Sequence, residues 1–339
     1  MDPRDSSAVA ATVAGWASER FGTPVTVDGT PTAIGDGFDS FIHAVGFTGP
    51  GLPEGWRGPL VVRVLPSPDR APQAHREAAI QGWAADAGYP APRVLAVLDP
   101  DEGLERPAQV MERAPGTTLV NAMTSRPWRI GRLMDLLAAL ALQLHALPLD
   151  GWPGPSGPTG LVDQRLHLPR EANERIDSPT LRAALAQAEV VAIGAMRGPH
   201  VVCHGDFHPL NVVVDGSVAA VIDWSDAGQG PREADVARTA LLFNVAAVAA
   251  SSRLERAVLR RLGPWLERRY RRAYTVGASI DEDLIRRWEV LHLVHATAQI
   301  EMLAAGGFEG ETSADPSRLP PGLGDFLRTR LEATLTALS

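Results

Sequence analysis

Hydrophobic positions along the chain change from a mixed helical and β pattern early on to a helical pattern later. Apolar residues recur at helical spacing over residues 6–21 and predict a helix that ends near Gly22. Short apolar runs separated by turn residues follow, and they predict an antiparallel sheet with one inserted helix at 73–87. The predicted strands are 25–27, 41–47, 60–65, 94–98 and 108–112.

Beyond residue 116 the hydrophobic spacing is mainly helical. The predicted helices are 128–147, two segments within 162–197, 233–248, 252–274, 281–305 and 322–338. A Pro/Gly-rich connector separates the first of them from the rest. We therefore predict an α+β fold with two lobes: a small antiparallel-sheet lobe at 1–113, a hinge at about 111–116, and a larger helical lobe at 114–339.

Composition limits the class of protein. The chain has 339 residues, 45% of them hydrophobic, and a net charge of −8. These values describe a folded, acidic protein large enough for two domains, and they argue against a nucleic-acid partner. No apolar run approaches the ~18–20 residues of a membrane span, and the first 21 residues lack the features of a secretory signal. The single cysteine, Cys203, excludes an intrachain disulfide and fits a reducing cytoplasm, where we expect the protein.

The basic residues are all of one kind, because the 32 of them are arginines and the chain has no lysine. Chemistry that needs an amine side chain, such as a Schiff base, is therefore excluded. The acidic net charge is also compatible with a cationic small-molecule partner.

The polar residues with the most informative spacing lie between residues 204 and 223. The segment His204-Gly205-Asp206 begins a loop, Asn211 follows five residues after Asp206, and Asp223 lies twelve residues further on. Two β-rich runs flank an Asp-Gly turn between Asn211 and Asp223, which predicts a hairpin that brings these two residues together. Their amide and carboxylate oxygens suit Mg²⁺, and Asp206 can orient an attacking hydroxyl. The pattern predicts phosphoryl transfer to a small molecule.

Other interpretations of the same residues stay open. Each of these side chains can instead cap backbone amides in a turn. His204, Asp206 and His208 can also indicate a zinc-hydrolase site, since histidine and carboxylate side chains bind zinc. Such a site needs further ligands, and His292 and His295 form the other close histidine pair of the chain.

The segment resembles the aminoglycoside phosphotransferase family, whose fold is shared with choline kinase and the protein kinases. The 204–206 triplet stands where protein kinases have His-Arg-Asp, and Asp223 stands where they have the first residue of Asp-Phe-Gly. The resemblance continues through 231–238, where an acidic residue anchors the catalytic loop in that family. It also includes the helix at 140–148 and so covers most of the chain.

The resemblance implies a bilobal, protein-kinase-like fold that transfers the γ-phosphate of ATP or GTP to a hydroxyl group. It implies Asp206 as the catalytic residue, with Asn211 and Asp223 as Mg²⁺ ligands. The residues implied for nucleotide binding lie in the first lobe: Gly35, Gly37 and Ser40 of a glycine-rich loop, Arg63 at the family's phosphate-binding lysine position, its helix partner Glu77, and Met111 and Arg113 of the hinge.

The sequence limits the identity of the acceptor molecule less closely than it limits the type of reaction. The resemblance implies an aminoglycoside or another antibiotic-like natural product, while a sugar, an amino alcohol or another metabolite fits the same residues. A protein kinase is disfavoured because no activation segment from Asp-Phe-Gly to Ala-Pro-Glu follows Asp223. Arg63 also keeps open a catalytically silent nucleotide-binding protein, since arginine and lysine are not interchangeable at phosphates. We expect the acceptor pocket between the Asp206 loop and the helices at 162–197 and 233–305.

Overall fold

The structure is a computed structural model, and it describes residues 1–36, 40–155, 160–216, 218–248, 250, 252–306 and 320–338. These residues form two compact units. The first is Met1–Pro115, and the second comprises 116–306 together with 320–338. The predicted α+β fold, with a small antiparallel sheet early in the chain and helices later, is confirmed.

The first unit begins with helix α1, Ser6–Phe21. Asp5 caps its start, because the Asp5 carboxylate accepts from the backbone N–H groups of Ser7 and Ala8 at 3.0 and 3.1 Å. Gly22 closes the helix in the left-handed conformation, with a φ of 63° that glycine adopts at little cost. The predicted helix and its end at Gly22 are confirmed.

Seven strands and one further α-helix follow among the described residues of this unit. The strands are β1 (Thr26–Val27), β2 (Thr32–Asp36), β3 (Phe41–Val45), β4 (Phe47–Thr48), β5 (Leu60–Val64), β6 (Val94–Leu98) and β7 (Ala108–Glu112). β1 pairs with β4, and the others form an antiparallel sheet in the order β2–β3–β5–β7–β6. Helix α2, Ala71–Asp86, lies between β5 and β6 in the chain.

Strand β2 does not follow from the sequence pattern. Its five residues include Gly35, a residue type that strands disfavour. Pairing with β3 holds the segment in the sheet, with a change of register between Ala33 and Asp36. Pairing with a neighbouring strand thus overrides a weak local preference.

Aromatic side chains pack together in the core of the first unit. Trp56 is 3% exposed. Its ring stacks on Trp16 with 6.0 Å between ring centroids, and Phe21 meets it edge-on at 5.3 Å. Phe47 of β4 lies 5.9 Å away. Aromatic pairs in such arrangements add to the hydrophobic stabilisation, so Trp56 joins α1 to the β1–β4 pair.

The described part of the second unit is mainly helical. Its helices are α3 (Leu119–Ser125), α4 (Ile130–His145), α5 (Gly160–Arg175), α6 (Pro179–Ala195), α7 (Glu233–Val245), α8 (Arg253–Tyr274), α9 (Glu282–Ala304) and α10 (Leu323–Thr336). Its strands are β8 (Thr117–Thr118), β9 (His200–Cys203), β10 (Val212–Asp215), β11 (Val218–Val221) and β12 (Gly228–Pro231). β10 and β11 form the predicted hairpin, with Val212 opposite Val221, and β9 pairs with β12. Of the helices that the structure describes, none combines the length and the apolar character needed to cross a lipid bilayer.

Helix α9 packs against α5, α6, α7 and α10 and carries two histidines that face other parts of the unit. His292 Nε2 donates to the carbonyl of Ala234 at 2.9 Å, and His295 Nδ1 donates to the carbonyl of Arg165 at 3.1 Å. Burial lowers the pKa of His292 well below its usual range, and the charges of Arg165 and Arg238 lower it further. Burial, and then the charge of Arg165, lower the pKa of His295 to about 4. Both side chains are therefore neutral near pH 7.

Replacing Trp56 should destabilise the first unit strongly. Trp56→Ala removes a buried ring and leaves a cavity, so we expect a loss of roughly 3–5 kcal/mol in the free energy of unfolding. The matched control is Trp128→Ala, because Trp128 is 78% exposed and its removal should change that free energy by no more than about 0.5 kcal/mol. Urea denaturation followed by circular dichroism measures both variants. Equal losses would contradict the packing described for Trp56.

The buried histidines should make the protein less stable in mild acid. An unfolded histidine binds a proton near pH 6.5, whereas folded His295 does so only near pH 4. As the pH falls through this window, the unfolded state takes up protons that the folded state does not, so stability present above the window is lost. We expect a loss on the order of 3 kcal/mol in the free energy of unfolding from His295, and His292 adds to it in the same direction.

Urea unfolding at several pH values across this window compares the wild type with His295→Gln. The variant should show a flatter dependence of the free energy of unfolding on pH. His167→Gln, which changes an exposed side chain of α5, is the matched control and should keep the wild-type slope. An unchanged slope in His295→Gln would show that the acid sensitivity arises elsewhere.

Candidate active site

A buried carboxylate fixes the loop that follows β9. Asp235, on α7, is fully buried, and its two oxygens accept from the backbone N–H groups of His204 and Gly205, each at 2.8 Å. His145 of α4 also donates to Asp235, at 3.1 Å. Hydrogen bonds to an ionised group are strong in a buried setting. The backbone that leads to Asp206 therefore has a fixed path.

Gly205 is required by the geometry of this loop. Its φ is +78°, and a Cβ at this position would lie 2.0 Å from the carbonyl oxygen of Asp226. A side chain would therefore collide with that backbone. Arg165 of α5, which is 1% exposed, donates from Nη2 to the Gly205 carbonyl and, at 2.8 Å, to the Asp226 carboxylate. One buried arginine thus joins two parts of the chain that pass close together.

Three side chains hold Asp206. Arg238 Nε donates to Asp206 Oδ1 at 2.8 Å, and His208 Nε2 donates to Oδ2 at 3.1 Å. Asn211 Nδ2 donates to Oδ2 at 3.2 Å and to the Asp206 carbonyl at 3.0 Å. Burial alone would raise the pKa of the Asp206 carboxyl, but His208 and Arg238 outweigh it and hold that pKa well below its usual range. Asp206 is therefore ionised near neutral pH and fixed in direction.

The hairpin of β10 and β11 brings Asn211 next to Asp223. The N–H of Ile222 donates to the Asn211 carbonyl at 2.9 Å, so Ile222 and Asn211 are neighbours across the hairpin. Asp223 follows directly and is exposed, and its Oδ1 accepts from Ser225 Oγ at 3.0 Å. Its φ of +63° is left-handed, which is uncommon outside glycine and costs backbone strain. Strained residues of this kind cluster at functional sites.

The oxygens of Asn211 and Asp223 suit a hard divalent cation. With Nδ2 of Asn211 donating to Asp206, its Oδ1 accepts no hydrogen bond from the residues that the structure describes. Asp223, one residue beyond the Ile222 that pairs with Asn211, adds a carboxylate. Mg²⁺ prefers one or two such protein oxygens together with waters and phosphates. The donor set therefore fits Mg²⁺.

In the first unit, three of the predicted nucleotide-binding residues lie together. Arg63, on β5, is 9% exposed and donates from Nη1 to Glu77 Oε2 at 2.5 Å and from Nε to Ser40 Oγ at 3.0 Å. Glu77, on α2, is also buried, and its Oε1 accepts from Gln73 at 2.6 Å. Additional hydrogen bonds of this kind offset part of the hydration that a buried ion pair loses. The Arg63 side chain is thus held in one place by α2.

The other predicted nucleotide-binding residues that the structure describes lie at separate positions in the first unit. Gly35 lies in β2, whereas Gly37 lies outside the described residues. Met111 lies within β7, between β5 and β6. The N–H of Arg113, just after β7, donates to the carbonyl of Pro59 at 3.0 Å. A nucleotide contact from Arg113 would therefore use its carbonyl or its side chain.

Three charged residues near Asp206 are not among the predicted site residues. Arg238 lies three residues after Asp235, so both occupy one face of α7, and that spacing is a usable signal. Arg165 and Asp226 form an ion pair at 2.8 Å, and no spacing in the sequence connects them. Burial raises the pKa of Asp226, but the charge of Arg165 outweighs burial and lowers it. The charge of Asp206 acts in the opposite direction, so the two carboxylates lie close enough to interact.

The zinc alternative finds no support in the geometry. Among the described residues, one group of three potential metal ligands has its donor atoms within 4.8 Å of one another, and it is a different set: His145, Cys203 and Asp235. All three are buried and engage protein partners. Burial also raises the pKa of the Cys203 thiol well above its usual range, which disfavours the thiolate that binds metals.

Comparisons with known proteins place this geometry in a family. The chain matches a family model described as the phosphotransferase enzyme family over residues 53–274. Among similar solved structures, the aminoglycoside phosphotransferase APH(4)-Ia is 20% identical, with 97% of this chain and 99% of that chain covered and a TM-score of 0.61. The macrolide 2′-phosphotransferase MphH from Brachybacterium faecium is 17% identical (90% and 96% covered, TM-score 0.55). A choline/ethanolamine kinase family protein from Mesorhizobium loti is 18% identical (91% and 88% covered, TM-score 0.54). No curated protein sequence gives a match.

The solved structures and the family model support different conclusions. The solved structures share the fold of this chain, and at these identities they show the fold alone. The family match rests on the sequence, covers most of the chain and includes the whole segment from residue 204 to residue 223. The predicted kinase fold is confirmed. The chain therefore belongs to the phosphotransferase enzyme family and is a small-molecule kinase.

Proposed function

We propose that the protein transfers the γ-phosphate of ATP or GTP to a hydroxyl group of a small molecule. The observation that carries this proposal is the setting of Asp206, an ionised carboxylate held by Arg238 and His208 and hydrogen-bonded to Asn211. A carboxylate on a rigid loop can orient a hydroxyl for in-line attack on phosphorus. The hairpin adds the oxygen ligand of Asp223 beside Asn211.

The low pKa of Asp206 favours a role in orienting the acceptor hydroxyl over a role as a base that deprotonates it in advance. A weak base does not remove the proton of an alcohol before the reaction begins. Asp206 would instead accept a hydrogen bond from the acceptor hydroxyl and take its proton as the bond from oxygen to phosphorus forms. Catalysis would then come mainly from positioning and from neutralisation of charge.

Asn211 and Asp223 would hold Mg²⁺ through the amide oxygen and the carboxylate. When bound, the ion neutralises charge on the nucleotide phosphates. The protein's part is to keep both oxygens in place, which the hairpin register and the hydrogen bonds from Asn211 to Asp206 support.

In the first unit, Arg63 would contribute its charge to the α- and β-phosphates. Glu77 and Ser40 fix its guanidinium. A guanidinium keeps the charge of the family's usual lysine but presents a planar set of donors. The remaining proposed nucleotide contacts come from the glycine-rich segment and the end of β7: Gly35, Gly37, Met111 and Arg113.

The acceptor would lie against helices that already reach the Asp206 loop. α5 brings Arg165 to the Gly205 carbonyl, and α7 brings Arg238 to Asp206. α9 places His295 against the backbone of Arg165. We therefore place the acceptor pocket between the Asp206 loop and helices α5, α7 and α9.

An aminoglycoside or another antibiotic-like natural product is the acceptor class that we favour. Solved structures of similar fold include an aminoglycoside phosphotransferase and a macrolide 2′-phosphotransferase. An amino alcohol is the alternative, because a choline/ethanolamine kinase family protein has a similar fold at comparable identity; a sugar or another metabolite fits the same chemistry. The net charge of −8 favours a cationic acceptor.

We place the activity in the cytoplasm, where a lone cysteine such as Cys203 stays reduced.

Acceptor-dependent release of ADP from ATP and Mg²⁺ tests this function. A panel of aminoglycosides, macrolides and amino alcohols should contain an acceptor that stimulates release. Asp206→Asn should lower that turnover by roughly 10²–10⁴-fold, because it removes the group that orients the hydroxyl and takes its proton. Asp215→Asn, at the turn end of the same hairpin, is the matched control and should keep the wild-type rate. Undiminished turnover in Asp206→Asn would refute its role, and ATP binding without any turnover would favour a silent nucleotide-binding protein.

Replacing Arg63 tests the nucleotide side of the proposal separately. Arg63→Ala should raise the KM for ATP by about 10-fold or more, because a hydrogen bond to a charged phosphate is lost. Arg63→Lys keeps the charge and should cause a smaller increase. Arg76→Ala, which changes an exposed arginine of α2, is the matched control. Thermal unfolding confirms that each variant is folded, and a wild-type KM in folded Arg63→Ala protein would exclude the phosphate-binding role.

A further inference from the structure

Arg238 reaches the candidate catalytic carboxylate from helix α7. Its Nε lies 2.8 Å from Asp206 Oδ1, and the two side chains are 15% and 20% exposed. Three residues earlier on the same helix, Asp235 holds the backbone of the loop through His204 and Gly205. Helix α7 thus fixes both the backbone of this loop and the carboxylate that it carries.

The two carboxylate oxygens of Asp206 accept different numbers of hydrogen bonds. A carboxylate oxygen can accept about two hydrogen bonds. Oδ2 receives two, from His208 Nε2 at 3.1 Å and from Asn211 Nδ2 at 3.2 Å. From the described part of the chain, Oδ1 receives one, from Arg238. One acceptor direction therefore remains at Oδ1.

We infer that Arg238 is a positioning residue for phosphoryl transfer, which holds Asp206 so that Oδ1 meets the acceptor hydroxyl. The inference rests on the proposed function, because it needs Asp206 as the group that orients the acceptor. Rotation about the bond from Cβ to Cγ would turn the plane of the carboxylate and move the accepting oxygen away from the hydroxyl, and the charged hydrogen bond from Arg238 opposes that rotation. Misplacing a reacting group by about 1 Å can cost roughly 10²-fold in rate.

A purely structural role for Arg238 predicts different kinetics for variants that still fold. An arginine that only compensates the charge of a partly buried carboxylate affects the stability of the fold. Any variant that still folds would then keep its kcat. A positioning role instead lowers kcat in folded protein and leaves nucleotide binding unchanged, because Arg238 contacts Asp206 rather than a residue proposed to bind the nucleotide.

Mg²⁺-dependent ATP hydrolysis, with water as the acceptor, tests the inference without an identified substrate. The water oxygen bonds to the γ-phosphorus, the bond from that phosphorus to the β-phosphate oxygen breaks, and one proton of the water passes through Asp206 to solvent. Arg238→Gln should lower kcat by about 10–100-fold and leave the KM for ATP within about two-fold of the wild type. Arg232→Gln, at the start of α7, is the matched control and should keep the wild-type kcat.

Arg238→Lys provides the conservative comparison. Its ammonium can donate to Oδ1 but lacks the planar geometry of the guanidinium, so its kcat should lie between those of Arg238→Gln and the wild type. Thermal unfolding of each variant shows that it is folded. If Arg238→Gln does not fold, the reduced kcat of folded Arg238→Lys carries the test, and a wild-type kcat in that variant would overturn the inference.

A double-mutant cycle separates action through Asp206 from an independent effect. If Arg238 acts through Asp206, adding Arg238→Gln to Asp206→Asn should lower kcat no further. An equal loss in both backgrounds, or a wild-type kcat in folded Arg238→Gln, would overturn the inference while the inactivity of Asp206→Asn leaves the proposed function standing. Unchanged hydrolysis in Asp206→Asn, or no wild-type turnover with water or with the acceptor panel, would overturn both.

Discussion

The hydrogen bonds from two backbone amides to the buried carboxylate of Asp235 are the contact on which the candidate site depends. They hold the left-handed turn at Gly205 and so set the direction of the next residue, Asp206. Behind Asp235, His145 donates to it and also contacts the hydroxyl of Tyr274 at 2.6 Å. The position of the candidate catalytic carboxylate is therefore determined in the core of the second unit rather than at its surface.

The same electrostatic rule applies in both units. A buried carboxylate is costly unless hydrogen bonds and opposite charge replace the water that it loses. Asp235 meets this condition with two amides and a histidine, and Glu77 meets it with Arg63 and a glutamine side chain. Asp206 differs, because its side chain is partly exposed. The carboxylates that organise the structure are thus buried, whereas the one proposed to react keeps access to solvent.

Local signals explain which parts of the structure could be predicted from the sequence. Helix α1 follows from its apolar spacing with Gly22 at its end, and the hairpin follows from an Asp-Gly turn between two alternating runs. Strand β12 does not, because Gly228–Pro231 contains no strand-forming residue and is held by pairing with β9, which is distant in sequence. The contacts of Arg165 depend on the fold in the same way. The chemical roles of the predicted site residues stay predictions, since a spacing indicates proximity and not reactivity.

The absence of lysine from the chain, including position 63, limits which reagents and modifying enzymes can act on this protein. Covalent nucleotide probes that acylate an amine near the phosphates need a lysine, and this chain has none. A guanidinium stays protonated throughout the physiological pH range and is a poor nucleophile. Regulation by lysine acetylation or by ubiquitin attached to a lysine is excluded for the same reason. With arginine at position 63, the proposed nucleotide site of this kinase offers no amine side chain to amine-directed reagents.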